Sequence, residues 1–299
     1  MKNVLVICGP TATGKTSLAL DIAHLLGHTT IVIADSRQVY QNLTIVSGRD
    51  IPSNLPRDIR FIGQDLFSPG EPSNLADYVS QVRTLMQKEI SAGQNLILVG
   101  GTGLYLRGLT EDLAEIGVEI DVKLRQYLDT LSVERLQALL QEKNPKKYSS
   151  LNESDIKNPR RLIRALEISL NQSNSKPLPK LSNLNYHWVG LTPPYNLGQK
   201  IKDRVVARLN SGALSEVESL LDQFSDHSLP IYSTLGIAQI IEYLQQKIDY
   251  QTLIELWTEK EISYVKRQMT WFRKVSGIIW YDELVDRKSL ALTLSKLFK

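Results

Sequence analysis

Residues 9–16 read Gly-Pro-Thr-Ala-Thr-Gly-Lys-Thr, a GxxxxGK[ST] pattern that follows the apolar run 4–8 and precedes a helix-like stretch at 17–26. Strand, glycine-rich turn and helix in that order make a phosphate cradle of the kind found in nucleotide-binding proteins. The turn brings backbone N–H groups together, the helix N-terminus adds partial positive charge, Lys15 adds a full charge, and the Thr16 hydroxyl can reach Mg²⁺. The pattern demands a parallel sheet around it but leaves open whose phosphate is held.

A second β-branched run at 30–34 ends on Asp35, Ser36, Arg37 and Gln38, and a third at 95–99 ends on Gly100 and Gly101. In a parallel α/β sheet the functional groups gather beyond the carboxyl ends of the strands, so these turns belong on one edge with the phosphate loop. The expected fold class is therefore α/β, a phosphate-loop parallel sheet flanked by helices, with a mainly helical insertion. The expected division is 1–111 for the first part of the core, 112–182 for the insertion and 183–299 for the rest, because charged, leucine-rich segments replace strand-like runs from about residue 112 until 186.

Residues 52–72 are expected to be irregular, 75–91 helical, and 172–185 a polar linker. Further helices are expected at 201–221, 235–247 and 253–275, with a closing strand at 277–281. In the insertion, Asn158 and Pro159 open a helix, with Leu162, Ile163, Leu166 and Leu170 on one face and Arg160, Arg161 and Arg164 opposite, away from the core. In 253–275, Ile262, Val265, Met269 and Phe272 form the expected apolar stripe. Lys260, Tyr264, Arg267, Trp271 and Lys274 form a basic stripe with interleaved aromatics, either a solvated face or a surface for phosphates and bases.

Composition excludes several classes. A net charge of +3 rules out a polycationic nucleic-acid binder, so any RNA contact must come from local clusters. Cys8 is the only cysteine, which leaves no intramolecular disulfide or cysteine-rich zinc site. No apolar run approaches membrane-spanning length, and a cytoplasmic monomer is expected. An ordinary phosphate-loop kinase would carry an acidic residue at the end of the strand beside the loop strand, where this chain has Gly100 and Gly101. Asp35 is then the one well-placed carboxylate, suited to act as a general base or as a partner of a metal or a turn.

Five blocks together resemble the bacterial tRNA dimethylallyltransferases: 9–16, Asp-Ser-Arg-Gln-Val-Tyr at 35–40, Val-Gly-Gly-Thr-Gly-Leu-Tyr at 99–105, Asn-Pro-Arg-Arg-Leu-Ile-Arg-Ala-Leu-Glu-Ile at 158–168, and Lys-Arg-Gln-Met-Thr-Trp-Phe-Arg-Lys at 266–274. The resemblance implies transfer of a dimethylallyl group from dimethylallyl diphosphate to N6 of the adenosine 3′ of the anticodon, with diphosphate released and Mg²⁺ as cofactor. It implies Asp35, Lys15 and Thr16 as the catalytic group. It implies Gly9, Thr11, Ala12, Thr13, Gly14, Lys15, Thr16, Arg204 and Lys200 on the diphosphate, and Thr16 on the metal. Asp35, Ser36, Arg37, Gln38, Thr102, Arg160, Arg161, Arg164, Arg267 and Trp271 are implied on the tRNA side, at the anticodon stem-loop. The chain departs from the family at 44–50, where Thr-Ile-Val-Ser-Gly-Arg-Asp stands for the usual Asp-Ile-Gly-Thr-Ala-Lys-Pro, at Lys200, which replaces an arginine, and at the 235–237 turn, which lacks a tyrosine. A small-molecule kinase and a non-catalytic RNA binder are the competing readings.

Overall fold

The fold is taken from a computed structural model that describes the chain except residues 53, 72, 172–174, 283 and 299. The expectations for residues 53, 72 and 172–174 fall outside the described residues. Contacts divide the chain into one unit, Met1–Glu111 with Lys180–Lys299, and a second, Asp112–Pro179.

The first unit holds a six-stranded sheet among the described residues: β1 (Lys2–Cys8), β2 (Thr29–Ile33), β3 (Ile59–Ile62), β4 (Asn95–Gly100), β5 (Leu184–Leu191) and β6 (Ile279–Tyr281). The order is β3-β2-β4-β1-β5-β6, with every pairing parallel. The central strands are continuously apolar because helices cover both faces of such a sheet; Val4, Leu5, Val6, Ile7 and Cys8 are all buried. Ile7 lies beside Val99 on one side and Val189 on the other, so β1 is central. Its helices are α1 (Lys15–Leu26), α2 (Leu75–Ser91), α3 (Gly103–Thr110), α9 (Leu197–Asn210), α10 (Ala213–Gln223), α11 (Ile237–Leu244), α12 (Tyr250–Phe272) and α13 (Arg287–Ser295).

β3 lies inside the stretch expected to be irregular. It is only four residues long, pairs with β2 and carries the exposed Arg60, which ion-pairs with Glu89, so its polar residue hid a short edge strand. The helix expected over 201–221 breaks into α9 and α10 at Ser211-Gly212, where Gly212 has φ 103°.

The second unit contains α4 (Val122–Leu128), α5 (Val133–Lys143), α6 (Pro145–Ser150), α7 (Glu153–Ile156) and α8 (Pro159–Leu170). Its core is built from Leu128, Leu136, Leu140, Leu162, Ile163, Ala165 and Leu166. Asn158 caps α8 by accepting from the Arg161 N–H, as its place before Pro159 requires. Leu170, expected on the buried face, is exposed at the end of α8. Glu167, by contrast, is wholly buried and takes a bidentate pair from Arg125 at 2.6 and 2.8 Å plus a hydrogen bond from Arg164 at 3.3 Å. Arg164 also donates to the carbonyls of Glu115 and Val118. The expectation that all three arginines of α8 turn away from the core therefore holds for Arg160 and Arg161, which are exposed, and fails for Arg164, whose guanidinium ties α8 to the 115–118 turn.

Candidate active site

β1, β2 and β4 deliver three turns to one edge of the sheet, and a cavity of about 330 Å³ opens there. Residues 11–17 of the phosphate loop form one wall, and Asp35, Ser36, Arg37 and Gln38 after β2 form the next. Gly100, the last residue of β4, and Gly101 after it lie between them. α9 contributes Arg204 and Arg208, and α12 contributes Glu261, Tyr264, Arg267 and Gln268. The cavity lies wholly within the sheet unit.

α1 begins at Lys15 and, like α3, α9, α10 and α11, has no side-chain cap, but it alone of these opens directly from the glycine-rich phosphate loop. Its first N–H groups are therefore not taken up by a capping side chain, the arrangement an anion requires. The Lys15 ammonium sits 2.5 Å from the Pro10 carbonyl. Burial foremost, and then the neighbouring Arg204, lower its pKa to about 8, although Asp35 pulls the other way. Arg204 is itself depressed, first by burial and then by Arg208. A buried lysine lowered by one arginine, and that buried arginine lowered by a second, mark a site with an excess of positive charge, which a polyanion relieves.

Asp35 divides its work between its two oxygens. Oδ1 accepts from the N–H of Arg37 at 2.8 Å and of Gln38 at 3.4 Å, fixing the turn after β2; Oδ2 accepts nothing among the described residues. The Arg37 guanidinium donates to the Pro230 carbonyl at 2.8 Å, and Gln38 Nε2 to the Gly48 carbonyl at 3.3 Å. Arg267 stacks its guanidinium over the Tyr264 ring at 5.5 Å, and both line the cavity.

Other expected residues fall elsewhere. Lys200 lines a neighbouring cavity of about 360 Å³, on the wall that includes Thr13, Gly14 and Tyr281, and not the one that holds Asp35. Trp271 packs its ring on Gly103, where a Cβ would overlap the indole, and meets Phe272 edge-on at 5.1 Å. Thr102, just before α3, is absent from the cavity wall. Its hydroxyl is buried and makes no hydrogen bond of good geometry, yet it lies close enough to the Tyr264 hydroxyl to offset part of the rise that burial causes in the Tyr264 pKa.

Sequence reading missed Gln268, Glu261, Arg208 and Thr234. The buried ridge of α12 is Trp257, Glu261, Val265, Gln268 and Phe272, whereas Ile262 and Met269 of the expected apolar stripe are only half-buried. Spacings of three and four residues would have put 261 and 268 on that ridge, but their polarity argued against burial. Each is satisfied there. Gln268 accepts from the Thr11 N–H at 3.1 Å and donates to the Gly101 carbonyl at 2.9 Å, joining the two glycine turns. Glu261 accepts from Arg208 at 2.8 Å.

The donor set also bears on a divalent cation. Among the described residues no three His, Cys, Asp or Glu side chains cluster as a cage. Asp50 and Glu261 are ion-paired with Arg204 and Arg208, leaving the Thr16 hydroxyl and the Asp35 carboxylate in the cavity. That set fits one Mg²⁺ carried on phosphate oxygens, since this ion retains waters and takes few protein ligands.

Against this geometry, the family model described as IPP transferase matches residues 38–275. The chain belongs to the tRNA dimethylallyltransferase family. It is 34% identical to a tRNA dimethylallyltransferase from Cyanothece over 94% of this chain and 92% of the relative, and 34% identical to one from Synechocystis over 98% and 95%. Among solved structures, the full-length tRNA isopentenylpyrophosphate transferase of Bacillus halodurans superposes with a TM-score of 0.69 at 25% identity, covering 99% of this chain and 95% of that one. A eukaryotic dimethylallyltransferase acting on tRNA shares the fold at a TM-score of 0.76 and 22% identity, over 94% of this chain and 74% of that one. No helix among the described residues is long and apolar enough to cross a membrane.

Proposed function

We propose that this chain transfers a dimethylallyl group from dimethylallyl diphosphate to N6 of the adenosine next to the anticodon of tRNA. Family membership supports tRNA prenylation. The observation that carries the finer reading is the placing of Asp35, the carboxylate among the described cavity residues that forms no ion pair, in one cavity with a cation-rich phosphate loop. The donor's carbon–oxygen bond breaks as the N6–carbon bond forms. The electron pair leaves with diphosphate, and the N6 proton passes to Asp35.

The loop amides, Lys15 and Arg204 stabilise the charge that builds on the departing diphosphate. Thr16 would hold Mg²⁺ on that diphosphate, where the ion neutralises charge. Oδ2 of Asp35 is the proton acceptor, because Oδ1 is committed to the turn. Asp35, Ser36, Arg37, Gln38, Tyr264 and Arg267 make the adenosine side, and the adenine must leave its stack to reach them. Arg160 and Arg161 of the helical unit bind the RNA backbone. A kinase reading is disfavoured because β4, adjacent to β1, ends in glycines where a metal-binding carboxylate would be needed.

The test is incubation with dimethylallyl diphosphate, Mg²⁺ and an unmodified tRNA, followed by mass spectrometry of the RNA. One added isopentenyl unit per tRNA is expected. ATP turnover without that product would support a kinase, and tRNA binding without either would leave an RNA-binding protein.

A further inference from the structure

The prenyl-transfer reading uses Arg204 from α9 but leaves the next residue on the same helical face, Arg208, without a role. Its side chain is 12% exposed, and Nη1 is held at 2.8 Å by Glu261, itself 8% exposed. The guanidinium lies over the Trp257 ring at 5.8 Å, so the side chain is fixed from beneath by an anion and an aromatic face. Nη2 lies against Gly48 and donates to no protein partner among the described residues. A Cβ at residue 48 would overlap Nη2, and Gly48 also has φ 69°, so glycine is required there twice over. Asp50, two residues on, holds Arg204 at 2.9 Å. The 48–50 turn thus makes room for one arginine of α9 and pairs with the other.

The segment is fastened in that position. Glu216 of α10 accepts from the N–H groups of Thr44, Ile45 and Val46 and from the Thr44 hydroxyl, at 2.7–3.0 Å. A purely structural Arg208–Glu261 pair would need neither an open guanidinium edge nor a cavity beside it. We propose that Arg208 is a diphosphate-binding residue of this chain, a second guanidinium beside Arg204. The two arginines, four residues apart on α9, present donors to an anion seated on the phosphate loop, which fits a diphosphate better than a single phosphate. The identity of the anion rests on the prenyl-transfer reading.

Calorimetric titration of the full-length protein with inorganic diphosphate, and separately with inorganic phosphate, tests the assignment. Arg208→Met alone would leave Glu261 as a bare charge, so the decisive variant is Arg208→Met with Glu261→Gln, which keeps the net charge of the cavity unchanged. Its affinity for diphosphate is expected to fall about ten-fold to one-hundred-fold, the range for losing charge-assisted hydrogen bonds, with a smaller loss for phosphate. Gly48→Ala, which keeps every charge and displaces the guanidinium, should weaken diphosphate in the same direction. Should the double variant not fold, Gly48→Ala and Arg208→Lys carry the test, the lysine being expected to restore only part of the affinity. Wild-type binding of diphosphate with no loss in these variants overturns the role of Arg208 alone. A wild-type protein that binds no diphosphate overturns the prenyl-transfer reading and this inference together.

Discussion

At the scale of single residues, the proposed reaction puts its chemistry on Asp35 and Lys15, and each has a second interaction that shapes its test. Asparagine at 35 keeps an oxygen for the Arg37 and Gln38 amides while abolishing the proton acceptor. Asp35→Asn should therefore lower turnover on the order of 10²-fold or more and leave diphosphate and tRNA affinity nearly unchanged in single-turnover and binding assays. Retained turnover would remove Asp35 from the role of base. Lys15 titrates where an assay can follow it. With its pKa lowered to about 8, the unliganded ammonium is lost as pH rises through 8, so diphosphate affinity should decline between about pH 7.5 and 9. For folding the sign is opposite. The unfolded chain binds the proton up to the ordinary lysine value, so the contribution of this group to stability increases with pH from about 8 towards about 10.5. A pH series of calorimetric titrations and thermal melts separates the two slopes.

At the scale of elements, α12 organises the site by burying two polar residues on its core ridge. Gln268→Leu keeps the volume but strips a partner from the Thr11 N–H and the Gly101 carbonyl, at a cost of about 2 kcal/mol. A lower melting temperature is expected, together with weaker diphosphate binding, because the phosphate loop loses its tie to the turn after β4. A variant that melts lower yet binds diphosphate normally would make the clamp structural only. α12 also marks how far sequence reading reaches. The phosphate loop, the Asp35 turn and the central strands were legible because glycine spacing and continuous apolar runs are local signals. β3 was not, because a four-residue edge strand carrying Arg60 looks like a loop. Glu261 and Gln268 were not, because their partners lie more than 50 and more than 160 residues away, on Arg208 and Gly101. Helical spacing puts both on the buried ridge, but the long-range partners that satisfy a buried polar residue leave no local signal.

At the scale of the whole molecule, a chain with a net charge of only +3 has little general attraction for RNA, so affinity must come from local cations. In the proposed reading, α8 is the element where this matters most. Arg160 is exposed, and Arg161 is exposed though ion-paired with Asp155, whereas Arg164 is bound to Glu167 and two backbone carbonyls inside the helical unit. The three arginines should therefore separate by experiment. Arg160→Ala with Arg161→Ala should weaken binding of an anticodon stem-loop RNA and reduce the salt slope by about 0.7–0.9 per lost phosphate contact, read by fluorescence anisotropy across a salt series. Arg164→Ala removes a donor from Glu115 and Val118 and leaves Arg125 as the one partner, among the described residues, of a fully buried carboxylate, so its expected effect is a lower melting temperature with the salt slope retained. An unchanged slope in the double variant would place the RNA on other cations. A reduced slope in Arg164→Ala without loss of stability would mean that this guanidinium leaves Glu167 when RNA binds.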